Sequence, residues 1–423
     1  MHADKQNKAE NCGQSEEKNF NQQNGASSSS IRDEKIASKG KPHEQKITGL
    51  KASNNILECI GSTPLICFRN ILTEYKISNC KIYAKCEYRN PTGSSKDRIA
   101  LKIIDRAEEE KKITRGVSTL IVPSSGNLGI SVALIGIHRS YRVVALVPES
   151  INRNKKLMLH GLGAKLWIMP KSPLGISDLP NHPEGAKMCA TKLQSQIVDS
   201  YIVDQYEDGM NPLTHYQWTA GEILKSVEAS EDKPVDMLVC GIESGGLISG
   251  IGTRLKETNP HIQIVGVELE SCPRKFPRGS ENLTAVLKKC EKESEIEDMG
   301  CPYRNYNPPV LDTTIITKWI SVSDSEAFQM TRRLIQKEGV LCGPSGGAVV
   351  AAALTALKEL GSSLKMKKKD GYRVVVVIPE ALRQCKESML KDLWMQNKGF
   401  YGLKEMSQRS VELHVVCKYI NPN

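Results

Sequence analysis

The chain has 423 residues, 39% hydrophobic and 25% charged, which are ordinary values for a soluble globular protein long enough to pack two subdomains. Its 58 Lys and Arg against 48 Asp and Glu give a formal charge of +10 spread along the chain, and only 5% of residues are aromatic, so nothing calls for nucleic acid. The 13 cysteines form no CxxC pair, the histidines are scattered singly, no apolar run reaches membrane-spanning length and the start lacks a signal core. These features predict no bound metal, no membrane span and a cytoplasmic address.

Residues 1–50 are a polar block of Gln, Asn, Lys and Glu with a serine run at Ser27–Ser30, nearly balanced in charge and without apolar periodicity. Such a segment buries too little apolar surface to offset its ordering entropy and is expected to be disordered. From Asn54 the texture changes. Strand-like apolar runs stand at Thr119–Pro123, Arg142–Pro148, Lys165–Met169, Asp236–Cys240, Gln263–Leu269 and Arg373–Pro379. They read as strands buried on both faces, as parallel sheets require. Helical patterns fill the intervals, from near Asp97 with Ile99, Ile103 and Ala107 on one face, and at Pro212–Val227, Gly246–Thr258, Asp324–Glu338 and Ser345–Leu360. The alternation predicts an α/β fold with parallel sheets. The Pro-, Lys- and Glu-rich stretch Cys272–Pro309 reads as an insertion or mobile surface loop, and the basic run Lys365–Lys369 as a solvated turn.

P-loop, GxGxxG and HExxH signatures are absent. What remains is a set of small-residue loops leading into helices, where free backbone N–H groups favour anions. In Pro91–Arg98, Lys96 follows Gly93, Ser94 and Ser95; it suits a lysine nucleophile at a helix start and equally a solvated N-cap lysine. In Pro123–Gly129, hydroxyls and backbone donors could hold a carboxylate, or simply cap a helix. In Gly241–Leu247, Gly245 and Gly246 suit a phosphate nest, against a plain turn that Glu243 favours. In Leu341–Gly347, again read as a strand-to-helix turn, Ser345 is either a cap or a partner for a ring nitrogen.

Taken together, in this order and spacing, these loops resemble those of the fold-type II pyridoxal-phosphate enzymes, most nearly the catalytic core of the cystathionine β-synthase family, with cysteine synthase next. The segments that carry the resemblance are Asn55–Pro64, Tyr83–Tyr88, Gly93–Arg98, Ser124–Asn127, Asp204–Tyr206, Asn211–Tyr216, Glu338–Gly343 and Asp392–Phe400. The resemblance implies a fold like that of the tryptophan synthase β subunit: two subdomains, each a twisted, mostly parallel sheet flanked by helices. It implies a catalytic core over 51–400, with a smaller, mobile subdomain at about 76–200 and a larger one built from 51–75 and 201–400, followed by a short tail at 401–423.

It further implies pyridoxal 5′-phosphate carried on Lys96, which also serves as the base at the substrate Cα. Asn127 would meet the ring hydroxyl oxygen, Ser345 the ring nitrogen, and Ser244, Gly245 and Gly246 the phosphate. Ser124 and Ser125 would hold the amino-acid carboxylate, and Gln205 and Tyr206 would form a pocket wall. The implied reaction joins serine and homocysteine by replacement at Cβ, in a homodimer acting on small amino acids. A cysteine synthase type of replacement with sulfide stays open, as does a non-catalytic relative with a binding or regulatory role. Glu243 and Leu247 replace a glycine and a threonine of the family's phosphate loop, Leu128 replaces a threonine, and Asp298 and Cys301 stand where the family has glycine and tyrosine. His43 has no cysteine at comparable spacing, so no haem is expected. Too few residues follow Phe400 for a module that binds S-adenosylmethionine.

Overall fold

The computed structural model describes residues 52–124, 126–149, 151–169, 183–231, 233–271, 294–297, 299, 308–362, 371–385 and 387–400. The expectations for residues 1–50, Lys365–Lys369 and the tail 401–423 lie outside them, as do Ser125, Asp298, Cys301 and most of Cys272–Pro309. Among the described residues, strands β1 (Leu65–Phe68), β2 (Cys80–Cys86), β3 (Thr119–Pro123), β4 (Arg142–Pro148), β5 (Lys165–Met169), β6 (Ser200–Ile202), β7 (Met237–Gly241), β8 (Gln263–Leu269), β9 (Lys318–Val322) and β10 (Tyr372–Ile378) form two sheets. The six-stranded sheet runs β1-β2-β10-β7-β8-β9 and the four-stranded sheet β5-β4-β3-β6. Among the described strands, only the β1–β2 pair is antiparallel.

Side-chain alternation explains why these runs are strands. In β10, Val374, Val376 and Ile378 enter one apolar cluster while Val375 and Val377 enter another across the sheet. In β4, Val143, Ala145 and Val147 face one cluster and Val144 and Leu146 the other. Successive residues point to opposite faces, so a continuous apolar run fills both. Four of the expected strands occupy the expected residues, while those at Asp236 and Arg373 shift by one residue, to Met237–Gly241 and Tyr372–Ile378.

The helices are α1 (Asn70–Glu74), α2 (Lys96–Glu109), α3 (Asn127–Arg139), α4 (Arg153–Gly161), α5 (Pro183–Gln194), α6 (Met210–Thr214), α7 (Ala220–Glu228), α8 (Gly246–Thr258), α9 (Asp324–Glu338), α10 (Pro344–Ser362) and α11 (Asp392–Asn397). In α2, Ile99, Ile103 and Ala107 are buried on one face, as their spacing predicts.

Three expectations need correction. The smaller subdomain does not begin near residue 76: β2 lies in the six-stranded sheet between β1 and β10, with Ile82 and Ala84 buried on one face and Tyr83 on the other, so it needs neighbours on both sides. The four-stranded sheet instead spans residues 119–202. The single helix expected over Pro212–Val227 is α6, one π-helical turn at His215–Thr219, then α7. Leu341–Gly347 connects two helices rather than a strand and a helix. Gly339 closes α9, Cys342 adds only an isolated bridge to Ala381, and Pro344 opens α10, where its missing N–H costs nothing.

Candidate active site

The C-terminal ends of β3 and β7, the start of α2 and the connection between α9 and α10 deliver the loops singled out in the sequence, and the strand ends are where open parallel sheets bind ligands. Lys96 is the first residue of α2 and is mostly buried. Its neighbours belong to a dense polar frame. Asp97 accepts from the backbone N–H of Thr92 at 2.8 Å and from the hydroxyls of Thr92 and Ser131. Arg98 is fully buried and makes a two-point contact with each of two carboxylates: Glu87 at 2.7 and 2.9 Å, and Glu222 at 2.8 and 2.7 Å. Lys85, also fully buried, donates to Glu222 at 2.5 Å and to the carbonyl of Thr63 at 2.6 Å. The Trp218 ring lies 4.9 Å from the Arg98 guanidinium.

This frame sets its own electrostatics. Burial pushes the Glu87 carboxyl up, but Arg98, Lys85 and the Thr63 hydroxyl outweigh it and hold the group at about 2. Glu222 is likewise held low by Arg98 and Lys85 against the burial that would raise it. Asp97 is pushed up by burial despite its hydrogen bonds. His215, in the π-helical turn with its Nδ1 2.9 Å from the Thr219 hydroxyl, is pushed down to about 3 by burial and is neutral.

Facing Lys96 is the loop between β7 and α8. The Lys96 ammonium lies 2.6 Å from Glu243 Oε2, and the other carboxylate oxygen receives Gln205 Nε2 at 3.4 Å. Gly245 has φ +93°, a left-handed conformation that a side chain resists, and a Cβ there would meet Leu311 Cβ at 2.5 Å. No side chain caps α8 at Gly245, which leaves its first N–H groups to other acceptors. Asn211 donates to the Ser244 hydroxyl at 3.0 Å and to the carbonyl of Gln205 at 2.7 Å, joining the pocket wall to the glycine loop. On the third side, Asn127 begins α3 and donates to Glu380 Oε2 at 2.9 Å. Ser345 is fully buried, and its hydroxyl has no hydrogen-bond partner among the described residues; the same holds for Gln205 Oε1.

Lys96, Gln205 and the Ser244–Gly246 loop are linked through Glu243 and Asn211, and Asn127 through Glu380, whose backbone bridges Ser94 beside Lys96. Ser124 is buried in the same loop as Asn127 and accepts from the N–H of Gly126 at 3.1 Å. Tyr206 is half-buried, with its backbone N–H on Asp204 at 2.7 Å. Sequence reasoning missed Glu380, Asn211 and the contact of Glu243 with Lys96. Glu380 had a legible signal: it stands just past β10, at the end of a central parallel strand. The orientation of Glu243 had none, because a loop residue's side-chain direction is set by tertiary contacts.

The model of the family "Pyridoxal-phosphate dependent enzyme" matches residues 56–380. The chain is 38% identical over 353 residues to cystathionine beta-synthase of Apis mellifera, covering 83% of this chain and 64% of that protein. It is 33% identical over 330 residues to cysteine synthase of Staphylococcus aureus, covering 78% of this chain and 94% of that protein. Among solved structures, an O-acetylserine dependent cystathionine beta-synthase from Helicobacter pylori superposes with a TM-score of 0.65 at 31% identity, covering 79% of this chain and 97% of that one. The chain belongs to the pyridoxal-phosphate dependent enzyme family, and its two mostly parallel sheets give it the fold-type II architecture. It spans about 64% of the length of the honeybee relative.

The residues present fit the cofactor. The buried, partnerless Ser345 hydroxyl offers a neutral polar contact, and the uncapped α8 start offers N–H donors to an anion. The loop also excludes side chains, since a Cβ on Gly246 would meet Asn211 Oδ1 at 2.2 Å.

Proposed function

We propose that this protein joins serine to homocysteine by replacing the serine hydroxyl at Cβ, with pyridoxal phosphate as cofactor, as a cytoplasmic homodimer. The observation that carries this reading is the placement of Lys96, mostly buried at the start of α2, against the glycine loop that opens α8. Bound pyridoxal phosphate supplies an electron sink that acidifies the Cα–H bond of an attached amino acid. Lys96 would hold the cofactor, and its Nζ would be the base that takes the Cα proton. Ser345 meets the ring nitrogen without placing a full charge beside it, and Asn127 meets the ring hydroxyl oxygen. Ser244, Gly245 and Gly246 hold the phosphate, and Ser124 and Ser125 hold the substrate carboxylate. Gln205 and Tyr206 close the pocket wall. The buried polar frame around Arg98 keeps the start of α2, and so Lys96, fixed.

A second reading, replacement with sulfide, is supported by the match over 94% of the cysteine synthase. A third, a non-catalytic relative, is supported by the carboxylate of Glu243 on Lys96. The deciding experiment records the visible absorption of purified protein before and after serine, then assays serine with homocysteine and with sulfide. A visible cofactor band, a serine-dependent change and faster turnover with homocysteine are expected. Faster turnover with sulfide selects the second reading. A protein that takes up no cofactor selects the third.

A further inference from the structure

Helix α4 carries a lysine that the roles above leave unused. Lys155 is 1% exposed, although lysine is almost never buried unless paired. Its stem lies under the loop that opens α3: a Cβ on Gly126 would meet Lys155 Cδ at 2.6 Å, and Gly126 has φ +137°, so neither the space nor the backbone admits a side chain there. Its ammonium lies 3.2 Å from Glu297 Oε2. Lys155 belongs to the half of the molecule built on the four-stranded sheet, and Glu297 to the half built on the six-stranded sheet.

Glu297 is itself firmly held. Ile296 and Met299 on either side of it are buried in the cluster that packs on the six-stranded sheet. Asp324, at the start of α9, accepts from the Ser294 hydroxyl at 2.7 Å and the N–H of Glu295 at 2.8 Å. Met299 packs on Gly241, two residues before Glu243, where a Cβ would meet its Sδ at 2.8 Å. The preceding residue of α4 makes a second crossing: Asn154 Nδ2 donates to the carbonyl of Cys385 at 3.2 Å, and the Cys385 thiol lies 3.3 Å from Glu380, the partner of Asn127. Two consecutive residues of α4 therefore tie the Ser124–Asn127 loop to the half that carries Glu243 and Ser345.

We propose that Lys155 is a positioning residue for the amino-acid substrate: its stem is the floor of the loop at Gly126, and its ion pair with Glu297 fixes that loop against the cofactor half. The inference rests on the reading that this loop takes the substrate carboxylate. Removing the charge while keeping the floor should loosen substrate far more than cofactor, because Asn127 stays held by Glu380 and Lys96 and the α8 start stay intact.

The test uses cofactor-loaded full-length protein and titrates serine against the visible absorption change. Lys155→Met keeps the stem's length and removes the ammonium; Glu297→Gln, at a half-exposed position, serves if Lys155→Met does not fold. In either variant the serine concentration at half-change should rise about ten-fold, a loss typical of one charged contact. The cofactor dissociation constant should stay within about two-fold, and Lys155→Arg should restore most of the serine affinity. Serine binding unchanged in both neutral variants, with only the melting temperature lowered, overturns the inference and leaves the proposed reaction standing. A native protein whose spectrum responds to no amino acid overturns both.

Discussion

The two sides of Lys96 are built on opposite principles. Behind it, every buried charge is met: Arg98 by Glu87 and Glu222, Lys85 by Glu222, Asp97 by Thr92 and Ser131. In front, the Ser345 hydroxyl and Gln205 Oε1 are buried without partners among the described residues, and one carboxylate, Glu243, lies against the ammonium. Buried polar groups left without partners cost stability, and a fold retains them where a ligand completes the set. The contrast separates a frame that holds the lysine still from a face with polar groups left for a ligand. It also sets the Glu243 carboxylate on that face, against the Lys96 ammonium.

The largest expected effect breaks the reactive face at its centre. Lys96→Ala should abolish borohydride-reducible attachment of cofactor while the circular dichroism spectrum stays native. Labelling that persists in this variant would remove Lys96 from its role.

Breaking the frame should cost stability instead. Arg98→Met leaves Glu87 and Glu222 buried without their main partner, a loss of about 3–5 kcal/mol for a disrupted buried pair, read as a steep drop in melting temperature. The frame also predicts a pH dependence. The Glu87 carboxyl is held at about 2, below its ordinary value, so it contributes stability above the ordinary carboxylate range. That contribution is lost as pH falls from about 4.5 towards 2. Melting temperature should fall through that window, and less steeply in Glu87→Gln. Equal slopes would show that other carboxylates govern acid unfolding.

A smaller effect sharpens the comparison from the reactive side. The double change Glu243→Gly with Leu247→Thr releases Lys96 from its carboxylate and adds a hydroxyl donor beside the phosphate loop. Cofactor titration should show tighter binding by about ten-fold, the scale of one charge-assisted hydrogen bond. A native protein that binds just as tightly would mean that Glu243 yields to the cofactor without cost. The smallest effect is expected from deleting residues 1–45, whose polar composition offers little apolar surface for burial; melting temperature and activity should change little. A large loss of either would show that this segment packs on the core.

Much of this was legible in the sequence, for definable reasons. The runs at 119–123, 142–148 and 263–269 announce strands because both faces are buried, so nearly every residue is apolar. The loops around Lys96, Asn127, Gly245 and Ser345 announce themselves because close backbone approach demands small residues. β1 and β2 were not anticipated: Lys85 and Lys81 interrupt the apolar pattern of β2, and the burial of Lys85 depends on Glu222, far away in sequence. Lys155 and Glu297 were hidden for the same reason, since ammonium and carboxylate each acquire their meaning from a partner on a different element. Ion pairs between distant segments leave no periodic trace.

The order of strands in the six-stranded sheet bears on how the chain is made. β2, residues 80–86, finds its central neighbour only in β10, residues 372–378. The four-stranded sheet, by contrast, is complete within residues 119–202. During synthesis from the N-terminus, that smaller sheet can close soon after it emerges, while β2, with β1 on one edge, waits with its other edge unfilled until almost all of the catalytic region has been translated. The helix that carries Lys96 lies between these two schedules. A ribosome stalled between β6 and β10 would therefore display a four-stranded half able to fold beside an open, strand-edged segment, the kind of surface that chaperones engage.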